Sequence, residues 1–200
     1  MISFLSKNTF CLLLILISSY VKAVPIAGGT YTIGPTGTYA TLTAVASALN
    51  TNGVGGAVIF EFQTTYTDAG ETYPITFNQI TGASVTNTIT VRPTTGATGI
   101  VLDGSTTTTP LIDLSGTDYI TFDGQPGGAG GTKELTLFNT NNTATGGAAI
   151  RFISDATNNT VKYTKLKALT INAAVTVSGC GIIFFSTATT TGNDNNTITY

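Results

Sequence analysis

The spacing of apolar residues changes once along this chain, near residue 57. Before that point, four residues have the i, i+3, i+4, i+7 spacing of a helix that is buried on one face: Leu42, Val45, Ala46 and Leu49. Thr38 or Thr41 is placed to cap the start of this helix, and Gly53 follows its end. The pattern therefore predicts one helix, at about residues 40–50.

Beyond residue 57, the apolar residues follow the period of two that is typical of strands. In the first run, Val58, Phe60 and Phe62 share one face. Similar short runs predict strands at 73–80, 87–92, 99–103, 110–114, 118–123, 133–138, 148–153, 159–163, 167–172, 180–185 and 195–200. Gly, Asn, Asp or Pro follows most of them, and these residues favour turns. Apart from its one helix, the chain is predicted to be all-β.

One stretch of the chain occurs twice. The positions of Ile150 and Ile182 differ by 32 (182 − 150), whereas those of Asn158 and Asn195 differ by 37 (195 − 158). The second copy is therefore predicted to hold a longer loop within 187–194, extended by five (37 − 32). Strands that keep their spacing while a loop changes length are typical of a solenoid, in which each repeat stacks on the next.

The alternation also predicts which side chains form the interior. Stacked apolar ranks are expected from Phe60, Phe62, Ile89, Val91, Leu135, Leu137, Ile150, Phe152, Leu169, Ile171, Ile182 and Phe184. Thr136 lies between two of these residues in sequence, so it is expected to be exposed on the outer face.

Small polar residues and glycines occupy the predicted corners of the solenoid. Asn and Asp tolerate left-handed backbone and form hydrogen bonds to their own chain, so they suit turns that stack from one repeat to the next. The predicted corner residues are Asp103, Gly104, Asp123, Gly124, Asn158, Asn159, Asn195 and Asn196.

Thr32–Asn50 is followed by Gly55–Phe62, and three further segments come later in the chain: Asn87–Pro93, Tyr119–Gly124 and Ala149–Phe152. Taken in this order, these segments resemble secreted right-handed parallel β-helix proteins of Bacteroidetes, which have a pectin-lyase-like fold. The first two segments resemble the opening of these proteins. The resemblance implies a right-handed parallel β-helix whose early helix covers the N-terminal mouth. Such proteins are usually much longer, adhesin-like, and end in a sorting domain for type IX secretion.

The chain is expected to have three parts. Residues 1–23 are expected to be a signal peptide, 24–56 an N-terminal cap, and 57–200 β-helix rungs. Because the sequence stops inside a repeat at Tyr200, it is expected to be the N-terminal portion of a longer product.

An antiparallel β-sandwich is the alternative fold, since short strands with frequent turns also fit it, but a sandwich does not explain the loop-stretched repeat.

The first residues have the three parts of a secretory signal. Lys7 supplies a positive charge, 10–17 form an apolar run, and Val21–Ala23 is a small-residue cleavage site. This predicts a secreted or outer-surface protein without a membrane span after cleavage. Cleavage would leave Cys180 as the one cysteine and a formal charge of −4, which is 6 basic minus 10 acidic side chains. An internal disulfide is therefore excluded, and nucleic acid is not an expected partner.

The sequence offers little catalytic chemistry. It contains no His, which excludes Ser-His-Asp and Cys-His catalytic sets, and no catalytic residue or organic cofactor is predicted. Asp103, Asp113 and Asp123 recur at intervals of ten, so they are candidates for a weak Ca²⁺ site. Two of these aspartates precede glycine, and turn formation alone accounts for them.

These observations favour a non-enzymatic, adhesin-like extracellular scaffold that presents a polar face to a polysaccharide or cell-surface glycan. The alternative is a polysaccharide lyase or glycoside hydrolase whose active site lies beyond residue 200. Thr-x-Thr pairs such as Thr30/Thr32 and Thr197/Thr199 raise a minor alternative, an ice-binding or surface-binding protein. A strand at 195–200 without a covering rung is expected to promote self-association.

Overall fold

The computed structural model describes residues 23–143, 147–169, 182–185 and 192–200. In these residues the chain forms one α-helix, α1 (Leu42–Asn52), and a series of strands. The strands are β1 (Gly29–Ile33), β2 (Val58–Phe62), β3 (Ile75–Phe77), β4 (Ile89–Pro93), β5 (Ile100–Gly104), β6 (Ile112–Ser115), β7 (Ile120–Asp123), β8 (Leu135–Asn139), β9 (Ile150–Ile153), β10 (Thr160–Lys162), β11 (Thr164–Ala168), β12 (Ile183–Phe185) and β13 (Thr197–Thr199). A 3₁₀ turn (Pro126–Gly128) follows β7. Residues 1–22 of the predicted signal peptide, Ile171 and Cys180 lie outside the described residues.

The strands form three sheets through which the chain winds as a solenoid. A six-stranded sheet has the order β1-β2-β4-β7-β10-β13, a four-stranded sheet the order β3-β6-β9-β12, and a three-stranded sheet the order β5-β8-β11. Every pairing between these strands is parallel. The predicted all-β parallel solenoid with one short helix is confirmed, and the alternative antiparallel β-sandwich is wrong.

Loop length varies from rung to rung, while the strands stay in register. Ile89 pairs with Ile120, a difference of 31 in position (120 − 89). Thr121 pairs with Thr160 at a difference of 39 (160 − 121), and Thr160 pairs with Thr197 at 37 (197 − 160). The predicted spacing of 37 is therefore confirmed.

The predicted spacing of 32 is wrong by one. Ile150 pairs with Ile183, not Ile182, which makes the spacing 33 (183 − 150) and the loop difference four (37 − 33). The rings of Phe152 and Phe185 stack at 4.5 Å between centroids. The sequence Ile182-Ile-Phe-Phe185 is apolar at every position, so its pattern alone does not distinguish two registers that differ by one residue.

The predicted interior is confirmed in the central rungs. Eight of the twelve predicted residues have no exposed surface: Phe60, Phe62, Ile89, Val91, Leu135, Leu137, Ile150 and Phe152. The prediction is wrong for Leu169 and Ile182, each 47% exposed, and Phe184 is only half-buried. All three lie after β10, in the last turn that the structure describes. Phe184 is in register with Arg151, so the one-residue shift in register places Ile182 and Phe184 on the opposite face of their strand from the predicted one. Leu169 follows β11, which is the last described strand of the three-stranded sheet.

Thr136 is buried, and its predicted exposure is therefore wrong. Its side chain is 8% exposed on the outer face of the three-stranded sheet. Val101 and Lys165 are in register with it on the two adjacent strands. The Val101 and Lys165 side chains flank Thr136 on its two sides, and the long lysine stem covers part of it, which reduces its exposure.

Helix α1 packs its apolar stripe into the core at the start of the solenoid, and its four predicted core residues are all buried. Thr41 caps the helix by accepting a hydrogen bond from the Ala44 amide at 3.0 Å. The Glu71 carboxylate accepts from the Leu42 and Thr43 amides at 2.6 and 2.8 Å. A carboxylate at a helix N-terminus satisfies exposed donors and complements the helix dipole.

The same helix covers one edge of the four-stranded sheet. Asn50 donates from Nδ2 to the Thr76 carbonyl at 2.9 Å and accepts from the Asn78 amide at 2.9 Å. These are backbone groups in β3, the first strand of that sheet, and just after it. An uncovered edge offers a template for another strand, so Asn50 protects this edge from pairing with another chain.

Candidate functional site

An asparagine ladder fixes the corner between the four-stranded and six-stranded sheets. Asn159 is fully buried, and its Oδ1 accepts from the Ile120 amide at 3.0 Å. Its Nδ2 donates to the Thr117 carbonyl at 2.9 Å and to Asn196 Oδ1 at 3.1 Å. Asn196 in turn donates to the Ala156 carbonyl at 2.8 Å. Each asparagine therefore connects its own rung to the corner of the preceding one.

The residue before each ladder position has a left-handed backbone. Asn158 and Asn195 have φ of 58° and 55°, and Tyr119 has φ of 58° at the equivalent place one rung earlier. Asn accepts this conformation more readily than most residues do. The turn thus repeats from rung to rung, which holds the neighbouring loops in a fixed arrangement.

An open polar cavity of about 450 Å³ lies along this corner. Its polar groups come from Ser115 at the end of β6 and from loop residues of successive rungs, namely Gln79, Asp118, Ser154, Asp155 and Thr157. Ser154 and Asp155 have φ of 58° and 65°, and Gly116 has φ of 72°. These turns bring hydroxyl, amide and carboxylate groups from separate loops to one place, which we name the corner cavity.

The two carboxylates of the corner cavity are held by the loops around them. Asp118 Oδ1 accepts from the amide and the hydroxyl of Thr157 at 2.9 and 2.7 Å. Asp155 Oδ1 accepts from the Gly192 amide at 3.1 Å. Both aspartates are half-buried. A carboxylate has about four lone-pair sites, so Asp118 can accept hydrogen bonds in addition to the two from Thr157.

The outer face of the six-stranded sheet forms a second polar region. Thr90, Thr121, Thr160 and Thr197 stand in register in one column. A neighbouring column contains ion pairs, one of which joins Arg92 Nη2 to Glu61 Oε1 at 2.7 Å, and another of which joins Lys162 Nζ to Asp123 Oδ2 at 3.1 Å. Because its charges are paired, this face carries hydroxyl groups and little net charge.

The three predicted Ca²⁺ candidates do not come together. Asp103 lies in the three-stranded sheet, Asp113 in the four-stranded sheet and Asp123 in the six-stranded sheet. Paired positions on successive rungs differ by 29 or more, as for Gly29 and Val58 (58 − 29), so an interval of ten reaches the next sheet of the same rung and not the next rung. The described residues contain no group of three or more His, Cys, Asp or Glu side chains that could hold a metal ion.

The predicted Asp-Gly corners differ from each other. Asp103 and Gly104 are the last two residues of β5 and pair with Phe138 and Asn139 in β8. Asp123 ends β7, and its Oδ1 accepts from the Gln125 amide at 3.0 Å, as in a turn.

Gly124, which follows β7, lies against the backbone of the next rung. A Cβ atom at this position would collide with the Tyr163 carbonyl oxygen. The absence of a side chain at Gly124 is therefore what allows two successive corners to pack closely.

Sequence reasoning missed two sets of residues. It did not single out the cavity residues Gln79, Asp118 and Asp155, because their loops meet only after the chain has completed a rung. It also missed Asn139, a fully buried corner residue whose Nδ2 donates to Thr106 Oγ1 at 2.6 Å and to the Gly147 carbonyl at 2.7 Å. The available signal for Asn139 was its place at the end of an apolar run.

No protein-family model matches this chain, and neither a characterised protein nor a solved structure matches it. Within the described part of the chain, no helix is both long enough and apolar enough to span a membrane. The parallel solenoid that the sequence resemblance implied is present, whereas the family itself and its bacterial group stay predictions.

Proposed function

We propose that this chain is a non-enzymatic scaffold, secreted or on the outer cell surface, that binds glycans at the corner cavity in the manner of an adhesin. The chemistry of the cavity carries this proposal, because hydroxyl, amide and carboxylate groups line a space of about 450 Å³. Such groups donate to and accept from sugar hydroxyls. Small-molecule sites typically enclose about 300–1,000 Å³.

The position of the cavity also supports a scaffold. Binding residues are commonly carried on loops that a rigid framework holds in place. Here the framework is the ladder of parallel strands together with the buried Asn159 and Asn196 contacts beneath the loops. A preformed site loses less conformational entropy when a ligand binds than a flexible one does.

The first test measures the affinity of neutral cello-, xylo- and manno-oligosaccharides by calorimetry. Asp118→Ala is expected to weaken the affinity of a bound oligosaccharide about tenfold or more, because a hydrogen bond to a charged group contributes about 1.5–3 kcal/mol and about 1.4 kcal/mol is tenfold. Gln79→Ala, in an exposed loop position, is expected to weaken it several-fold without affecting folding.

The matched control is Asp103→Ala, which makes the same change at an aspartate in β5 that does not line the cavity. Affinity is expected to change by less than about twofold in this variant. If Asp103→Ala weakens binding as much as Asp118→Ala does, or if none of the oligosaccharides binds, the corner cavity is not a glycan site.

The enzymatic alternative, a polysaccharide lyase or glycoside hydrolase, is tested on pectins and other acidic polysaccharides with and without Ca²⁺. The scaffold proposal predicts no turnover under either condition. If a polysaccharide is turned over and Asp113→Asn or Asp123→Asn abolishes that turnover, the protein is an enzyme and the scaffold proposal is wrong.

Binding to ice or another regular surface is a lesser candidate, which the threonine column supports. Thr90, Thr121, Thr160 and Thr197 repeat at the spacing of adjacent strands, about 4.8 Å. The ion pairs in the neighbouring column make this face less suitable, since charged groups hold their hydration water strongly. This candidate would be favoured if the protein inhibits ice growth, if Thr121→Val alters that inhibition, and if the same substitution leaves sugar binding unchanged.

We further expect the 24–200 chain to self-associate through its last described rung. Phe185, Ile198 and Tyr200 are 46%, 41% and 75% exposed there, and the Tyr200 ring extends a stack on Tyr163 at 4.6 Å between centroids. A second copy that pairs with β13 would cover this surface. Light scattering is expected to show concentration-dependent association that Ile198→Lys reduces. A strict monomer in which hydrogen exchange protects 195–200 as well as 148–153 would contradict this expectation.

A further inference from the structure

We infer that the outer face of the three-stranded sheet is an interface between two copies of this chain, related by a two-fold axis that runs along β8. Leu102 and Leu137 point into the core, so the residues that alternate with them point outward. These outward residues of β5, β8 and β11 stand in register in two rows: Val101, Thr136 and Lys165, then Asp103, Phe138 and Lys167.

The charges of this face lie at its two opposite edges. Asp103 is exposed in β5, and Asp68 lies beside it, since Asp68 Oδ2 accepts from the Asp103 amide at 3.1 Å. Lys165 and Lys167 are exposed in β11, which is two strand spacings, or about 10 Å, from β5. One edge of the face is therefore negative and the opposite edge is positive.

The charges of this face are available to a second copy, unlike those on the outer faces of the other two sheets. There, ion pairs to carboxylates on adjacent strands hold Arg92, Arg151 and Lys162. None of the ion pairs in the described part of the chain involves Lys167 or Asp103. The Lys167 ammonium lies 5.7 Å from the centroid of the Phe138 ring, which holds it over this face.

A two-fold axis that lies in the interface along β8 brings unlike groups together. Rotation about this axis exchanges the places of β5 and β11 and leaves each row at the same position along the strands. Asp103 then faces Lys167 of the second copy, and Lys167 faces Asp103 of the second copy, so the contact forms twice. An axis perpendicular to the strands would place β5 against β5 and bring like charges together. The register of the sheet therefore selects the first axis.

The centre of the face supplies apolar contacts. Phe138 is half-buried and lies on the axis, where it meets its own equivalent. Val101 is 37% exposed, and the stem of Lys165 from the second copy would cover it. Two sheets that pack face to face lie about 10 Å apart, which is close enough for these side chains to interdigitate.

The size of the face limits the strength of the dimer. Three strands of five residues each span about 14 by 17 Å. This is small beside the standard interface, which buries about 800 Å² on each partner, so the dimer is expected to be weak. The corner cavity lies between the other two sheets, and a dimer therefore presents two open cavities.

The test measures association by sedimentation equilibrium in protein that carries Ile198→Lys, which reduces pairing through β13. Lys167→Asp and Asp103→Lys each place like charges in contact, so each is expected to raise the dissociation constant of the dimer about tenfold or more. The double variant Asp103→Lys/Lys167→Asp restores unlike pairs without changing the net charge. Its dissociation constant is expected to return to within about threefold of the parent value.

A mixture of the two single variants gives a second test. In a mixed dimer, one contact is the original pair of Asp103 and Lys167, and the other is the same pair with its charges reversed. The mixture is therefore expected to dimerise about as tightly as the parent, although neither variant does so alone. Far-UV circular dichroism checks that each variant is folded.

Two results would overturn the inference. One is a strict monomer of the Ile198→Lys protein at millimolar concentration. The other is a failure of the double variant or of the mixture to recover dimerisation while all the chains are folded, because Asp103 and Lys167 then do not join the two copies. The calorimetric test of glycan binding is independent of both results, since the corner cavity is not part of this face.

Discussion

Leu137→Ala is expected to lower the free energy of unfolding by about 2–5 kcal/mol, the usual cost of removing a large side chain from a packed core. Leu137 has no exposed surface and stands in register between Leu102 and Leu166 in the three-stranded sheet. The substitution would leave a cavity between the rungs above and below Leu137, and strand pairing holds both of these rungs in place. The rungs therefore have little freedom to close it.

Leu169→Ala is the matched control, since it removes the same atoms from a side chain that is 47% exposed. Its expected cost is below about 1 kcal/mol. Chemical denaturation of both variants measures the difference directly. Equal losses at the two positions would mean that the inward face of the three-stranded sheet has been assigned wrongly.

The interior could be predicted from the sequence wherever a strand alternates cleanly. Phe60 and Phe62 flank Glu61, and Val91 is followed by Arg92, so only one face of each strand is apolar along its length. At 182–185 four apolar residues follow one another, and the same rule gives no unique register. The error of one in the predicted repeat spacing arose at this point.

The corner cavity could not be predicted, because its residues meet through the winding of the chain. The positions of Asp118 and Asp155 differ by 37 (155 − 118), yet the two aspartates occupy different places within their rungs. Predicting that both line one cavity requires the register of the strands between them.

The threonine column could not be predicted either, because it too depends on how the strands pair. The intervals between Thr90, Thr121, Thr160 and Thr197 are 31, 39 and 37. These intervals look irregular in sequence, and only strand pairing shows that the four positions are equivalent.

Asn159→Asp is expected to destabilise the solenoid by about 3 kcal/mol or more at neutral pH, even though the two side chains have nearly the same shape. Asn159 Nδ2 donates to the Thr117 carbonyl and to Asn196 Oδ1. An ionised carboxylate would place an acceptor against both of these acceptors in a fully buried position. Each unsatisfied buried group costs about 1–3 kcal/mol, and an unpaired buried charge costs more.

The pH dependence of this variant gives the decisive measurement. Burial would raise the pKa of the new carboxyl above its value of about 3.9 in the unfolded chain. The unfolded state therefore loses its proton first as pH rises, and the stability of the variant relative to the wild type decreases through that range. At about pH 4 and below, the protonated carboxyl can donate to the Thr117 carbonyl, and the deficit should shrink.

Asn158→Asp supplies the control for Asn159→Asp, because it makes the same substitution one residue earlier. Asn158 is half-buried, its Nδ2 donates only to Thr157 Oγ1 among the described residues, and its φ of 58° suits Asp as well as Asn. A cost below about 1 kcal/mol with little change between pH 4 and pH 7 is expected. If the two variants lose equal stability, or if the Asn159→Asp deficit does not depend on pH, the buried ladder does not hold the successive rungs together.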